Sequence, residues 1–203
     1  MASAARAAAL WAPHAGGDAE TAWKLARVDY WLGTHLPERE RRSALERGVA
    51  AGETAIRLAS NLPEGHFWLA ANMGALAESF GLMQGLKYRG RIKAELQRVL
   101  AIEPGWQGGS AEAALGQWYF EVPRLLGGSH SQAEALLRRA LAYDPQNLVA
   151  LLFLARGLAS DDRRDEAAAL LQRILDAPVS SDWGPEDREF KKKAVEKLKA
   201  LVR

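Results

Sequence analysis

Four histidines, His14, His35, His66 and His130, are the side chains of this sequence that could ligate a metal or move a proton near neutral pH. They lie far apart, share no metal-ligand spacing and have no cysteine to join them. No metal or cofactor is expected. His130 stands between Ser129 and Ser131, but no Gly-x-Ser-x-Gly elbow surrounds either serine, so no nucleophile is nominated. Gly108-Gly109 and Gly127-Gly128 are not followed by Lys-Ser or Lys-Thr and form no Gly-x-Gly-x-x-Gly run, which makes them turn glycines rather than a phosphate cradle. With no clustered acid-base set, the chain reads as a non-enzyme.

Binding chemistry is better supplied. The sequence holds seven tryptophans, Trp11, Trp23, Trp31, Trp68, Trp106, Trp118 and Trp183. Trp68, Asn72, Trp118, Tyr119 and Arg156 are the candidates for lining a ligand cavity or groove, since aromatic walls with a few polar anchors are what such a site needs. Packing between repeats is the alternative for each of them. Leu125, Leu126, Gly127, Gly128 and His130 are the candidate partner-contact loop. Lys24, Arg27, Asn72 and Arg156 are too scattered to make a carboxylate clamp. The run Lys191-Lys192-Lys193 with Lys197 and Lys199 reads as a solvated helix face.

What must position these residues is an internal repeat. Pro63, Pro104 and Pro145 stand 41 residues apart, Pro178 follows 33 later, and each is preceded by a similar apolar-basic segment. The last interval is close to a tetratricopeptide unit, a pair of helices of about 34 residues. Before Pro145, Ala133, Leu137 and Ala140 keep the small-large-small spacing of the second helix. Leu115, Gly116 and Tyr119 supply the first, with Glu112 where a Trp is customary. Leu151, Leu154, Ala155 and Leu158, then Ala167, Leu171 and Ile174, fill the same places in the next unit. The longer intervals leave about seven extra residues each. These fall in 81–90 and 122–130, as packed insertions or as lengthened helices. Ser131 with Glu134 reads as a capping box, and Gly184-Pro185-Glu186-Asp187 opens a last helix whose Phe190, Ala194, Leu198 and Leu201 share a face.

The expected fold is therefore all-α, a tetratricopeptide-like helix-turn-helix array of about four hairpins plus a C-terminal capping helix. Residues 1–18 are expected to be a flexible N-terminal segment, 19–182 the array and 183–203 the cap. Of the 203 residues 48% are hydrophobic, enough for a continuous core, and 27 basic residues against 25 acidic ones imply no nucleic-acid partner. No apolar run is long enough to span a membrane.

Three stretches resemble the T-component of TRAP transporters, the TatT family: Gly65 to Gly74 with its His66-Phe67-Trp68 core, Leu115-Gly116 through Val122-Pro123 to Ser129, and Trp183 to Lys191. The resemblance spans nearly the whole chain. It implies a non-catalytic helical scaffold that binds a periplasmic solute-binding protein and holds a small solute in its cavity, in a family where a homotrimer is known. It also implies a periplasmic location, lipid-anchored in the precursor. The lipid-bearing Cys of that family is absent from this sequence, and Ala113 and Ala114 stand where many relatives place an Arg. A cytoplasmic tetratricopeptide adaptor for a peptide or protein is the alternative.

Overall fold

The structure is a computed structural model and describes residues 2–180 and 184–201. Trp183 lies outside the described residues. Among those described, ten α-helices and no strand are found, in the order α1 Ala2–Trp11, α2 Ala19–His35, α3 Glu38–Leu58, α4 Pro63–Phe80, α5 Leu82–Ile102, α6 Trp106–Glu121, α7 His130–Tyr143, α8 Leu148–Ser160, α9 Arg164–Asp176 and α10 Gly184–Leu201. Helices α2/α3, α4/α5, α6/α7 and α8/α9 pair as antiparallel hairpins, and α10 packs on α9 and α8. The fold is the expected all-α tetratricopeptide-like array, with one further helix, α1, in the leading segment. The chain divides into two compact units that meet at Pro104 and Gly105.

In the first unit, the Asp18 carboxylate accepts from Thr21 N at 2.8 Å and starts α2, satisfying a donor that the first helical turn leaves free. Pro63 starts α4 as a residue with no donor to lose. Close approach is bought by glycine. A Cβ on Gly52 of α3 would stand 2.8 Å from the Leu69 Cβ of α4. The core so closed holds Leu45, Leu69, Met73 and Leu76, each no more than 1% exposed, and each such burial contributes about 1.5–3 kcal/mol.

In the second unit, Ala133, Leu137 and Ala140 of α7, Leu151, Leu154, Ala155 and Leu158 of α8, and Ala167, Leu171 and Ile174 of α9 are all buried, as the repeat spacing requires. Gly116 lets α6 meet α7, since a Cβ there would come within 2.7 Å of Leu137 Cγ. Ala194 and Gly184 are buried in α10, with Phe190, Leu198 and Leu201 partly covered.

One sequence expectation is corrected, and one pair of open alternatives is decided. The cap of α7 is Ser129, whose hydroxyl accepts from Gln132 N, so the helix begins at His130 and Ser131 lies within its first turn. The extra residues of the two long units take different forms. Those near 81–90 are absorbed into α5, which runs 21 residues. Those of 122–130 make an ordered loop around a 3-10 turn at Arg124–Leu126.

Candidate functional site

Each candidate residue belongs to one of the two units. In the first, Trp68 is 5% exposed and Asn72 wholly buried. Asn72 Nδ2 donates to Ala26 O at 2.9 Å and to Trp68 O at 2.8 Å, tying α4 to α2. Trp68 lies under Tyr30, ring centroids 5.7 Å apart, and the Arg27 guanidinium is 5.6 Å from its ring. The indole Nε1 and Asn72 Oδ1 are buried with no hydrogen-bond partner in the structure. Both side chains therefore join helices.

The second unit gathers more of the candidates. Trp118 and Tyr119 are 8% and 6% exposed on α6, their rings edge to face at 5.0 Å. Tyr119 O accepts from Ser129 N at 2.9 Å, which fixes the end of the 122–129 loop to α6. Gly127 turns the loop with φ of 102°, a left-handed conformation that a side chain would disfavour. Gly128 is pressed against the Val122 carbonyl, where a Cβ could not fit. The loop is thus held at both ends, and it presents Leu125 at 100% exposure with Leu126 at 37% beside it.

Next to this loop, His130 stacks on Phe120 with ring centroids 5.1 Å apart. Arg156 of α8 lies over Phe120 at 4.9 Å and over Phe153 at 4.8 Å, and donates to Glu121 Oε1 at 2.6 Å. Its guanidinium is engaged on the flat side by rings and at the edge by a carboxylate, a setting that fixes a charged plate rather than a proton donor. A cleft beside it, lined by Phe120, His130, Leu137, Phe153, Leu158 and Asp161, has a volume of about 10 Å³, room for about one water. Its rim is braced by Glu134, which accepts from Arg138 at 2.8 Å and Arg163 at 2.9 Å. The Arg138 bond, and with it the Arg163 bond, holds the Glu134 carboxyl below the usual carboxylate range. Phe120, Phe153 and Glu121 were not singled out in the sequence. The i,i+3 spacing of Phe153 and Arg156 on one helix was a signal for Phe153; Phe120 and Glu121, on α6, had none.

Two buried carboxylates have a structural role that the sequence did not show. Asp29 of α2 meets Arg47 of α3 at 2.6 Å. Glu112, in the customary Trp place, accepts from Gly105 N at 3.0 Å and has Arg139 3.6 Å away. It fastens the start of α6, where Gln107, Gly108 and Gly109 form a left-handed turn. Among the described residues no three metal-ligating side chains gather.

Compared with known families, residues 6–138, well over half the chain, match the family described as "Regulator of microtubule dynamics protein 1-3". Residues 125–183 match the tetratricopeptide repeat. No curated protein matches the chain. Among solved structures, the thermophilic tetratricopeptide protein TTC0263 of Thermus thermophilus is similar over 88% of this chain and 82% of its own, with a TM-score of 0.63 and 22% identity. MamA is similar over 91% of this chain and 81% of its own, with a TM-score of 0.53 and 17% identity. At such identities the likeness is one of fold.

Proposed function

From the premise that this chain belongs to the regulator of microtubule dynamics protein 1-3 family, we propose that it is a non-catalytic tetratricopeptide-type scaffold that docks a protein partner through its 122–129 loop, with tubulin polymer the first partner to test. The observation that carries the docking surface is Leu125, a fully exposed leucine on a loop fixed at both ends. A leucine in water on a mobile segment would be unremarkable. One on a backbone already fixed has less conformational entropy left to lose on binding, which favours association. His130, which follows the loop in the chain, and Arg156 share the Phe120 ring in the same unit and offer polar groups for a rim. The family's name motivates the choice of tubulin.

Co-sedimentation of the full chain with polymer assembled from purified tubulin tests this. The wild type is expected in the pellet, and Leu125→Asp to bind about tenfold more weakly with an unchanged melting temperature. A wild type that stays in the supernatant overturns the tubulin reading. A Leu125→Asp variant that pellets like wild type overturns the loop as the contact.

The resemblance to the TRAP T-component supports a second reading, a periplasmic scaffold for a solute-binding protein, resting on the sequence stretches at 65–74, 115–129 and 183–191. The water-sized cleft in the second unit lends no support to solute binding at that place. Native mass spectrometry with a purified TRAP solute-binding subunit distinguishes the two: a trimer carrying that subunit favours the second, and tubulin binding by a chain that ignores it favours the first.

A further inference from the structure

The hairpin turn between α4 and α5 exposes a group of side chains that neither the core nor the partner loop accounts for. Leu82 is 74% exposed, Met83 78% and Leu86 45%. All three lie in the first turns of α5, just after Gly81, whose φ of 82° ends α4. On a helix Leu82 and Leu86 share one row and Met83 and Lys87 the next, and Arg89 and Lys93 prolong the first row. The apolar group therefore runs directly into a basic one. From Phe80 to Ala94 there are four basic residues and no acidic one. Arg91 is already paired with Glu53 at 2.5 Å and with Glu95. Lys87 makes no ion pair among the described residues and lies over the Tyr88 ring at 4.6 Å. Tyr88 in turn packs on the Leu45, Ala75 and Leu76 core, so the helix is anchored while its first turns face water.

We infer that the tip of the α4–α5 hairpin is a docking surface for an anionic lipid bilayer, with Leu82, Met83 and Leu86 entering the interface and Lys87 at the headgroups. Size and charge decide between occupants. A stable protein interface takes about 20–30 residues a side, and three side chains at a helix end fall far short of that. Three large apolar side chains beside a basic cluster do suffice for reversible attachment to a charged bilayer, where shallow insertion and headgroup attraction add. No described helix is long and apolar enough to cross a membrane, so the contact is with the surface. It is independent of the partner loop, which belongs to the other unit.

The test uses flotation of the full chain with vesicles of phosphatidylcholine, with or without phosphatidylserine. Binding is expected to the mixed vesicles only, to weaken about tenfold in Leu82→Ser/Met83→Ser and by a similar factor in Lys87→Glu, and to fall with added salt. The chain has no cysteine, so Met83→Cys takes a single environment-sensitive label. That label should shift to the blue on mixed vesicles. Equal binding to uncharged vesicles, no binding at all, or a label at position 83 that stays in water overturns the proposal. So does a concentration-dependent dimer of the wild type that the Leu82→Ser/Met83→Ser variant abolishes, which would assign the surface to a second copy of the chain.

Discussion

His66 Nδ1 lies 2.6 Å from Glu95 Oε2, and its other ring nitrogen lies 3.0 Å from the Ser60 carbonyl. Both partners are acceptors, so only the doubly protonated imidazolium can donate to both. Burial pushes the His66 pKa down, but the Glu95 hydrogen bond and the Ser60 carbonyl outweigh it and hold it above its ordinary value. Burial likewise pushes Glu95 up, and the His66 and Arg91 contacts outweigh it and hold it below. The pair ties the α3–α4 turn, α4 and α5 together.

A histidine raised in this way stabilises fully below its unfolded pKa of about 6.5 and loses that contribution as pH rises through the folded value. A lowered glutamate contributes fully above about 4.3 and loses it as pH falls further. The pair should stabilise most between those limits. Urea melts taken from about pH 5.5 to pH 8.5 should lose about 1 kcal/mol of stability that His66→Gln does not lose. Parallel curves for the two proteins would refute this.

Gly48 and Asn72 should be coupled. A Cβ on Gly48 would fall 2.7 Å from Asn72 Nδ2 and closer to the rest of the amide. Gly48→Ala should cost about 2 kcal/mol through overpacking, and Asn72→Ala about 1–2 kcal/mol through its lost bonds to Ala26 and Trp68. The double variant should be less destabilised than the sum by about 1 kcal/mol, because the alanine at 72 leaves room for the new methyl. Additive denaturation midpoints would show that the two sites do not share space.

Asp29 is wholly buried, and its Oδ2 has no partner. Burial raises its pKa despite the pull of Arg47, so its charged form disfavours the fold and its share of stability fades as pH rises through the folded value. Asp29→Asn should leave stability at pH 7 unchanged or higher. Arg47→Met should cost about 2 kcal/mol, less than for a fully buried pair because the Arg47 side chain is 54% exposed. That loss should shrink in acid. Thermal melts that rank the two variants the other way would exclude this account.

Gln107 holds φ at 44° before Gly108 and Gly109. Gln107→Gly should raise stability by about 0.5–1 kcal/mol, and Gln107→Val should lower it, since a β-branched residue tolerates that region poorly. A destabilised glycine variant would show that the Gln107 side chain holds the turn by its contacts.

Much of this was legible in the sequence. The spacing of Ala133, Leu137 and Ala140, and of Leu171 and Ile174, follows from the helical period, which any buried stripe must obey whatever lies opposite. The buried Ala194 of the last helix was visible for the same reason, and its start at Gly184 from the Pro185-Glu186-Asp187 that follow. The loop was visible as surplus length between two prolines of a repeat.

What that surplus becomes was not. The residues near 81–90 and those of 122–130 exceed the repeat alike, yet one set lengthens α5 and the other folds around Gly127 and Gly128, because the Val122 and Tyr119 carbonyls close on the second and nothing comparable closes on the first. Trp68 and Asn72, read as groove candidates, are placed among helices by contacts to Tyr30 and Ala26 that lie 38 and 46 residues away. Residue type and period determine which side chains leave water. Which partners they meet, and which of Leu82, Met83, Leu86 and Leu125 stay outside, is decided by how the hairpins pack, since burial depends on neighbours distant in sequence.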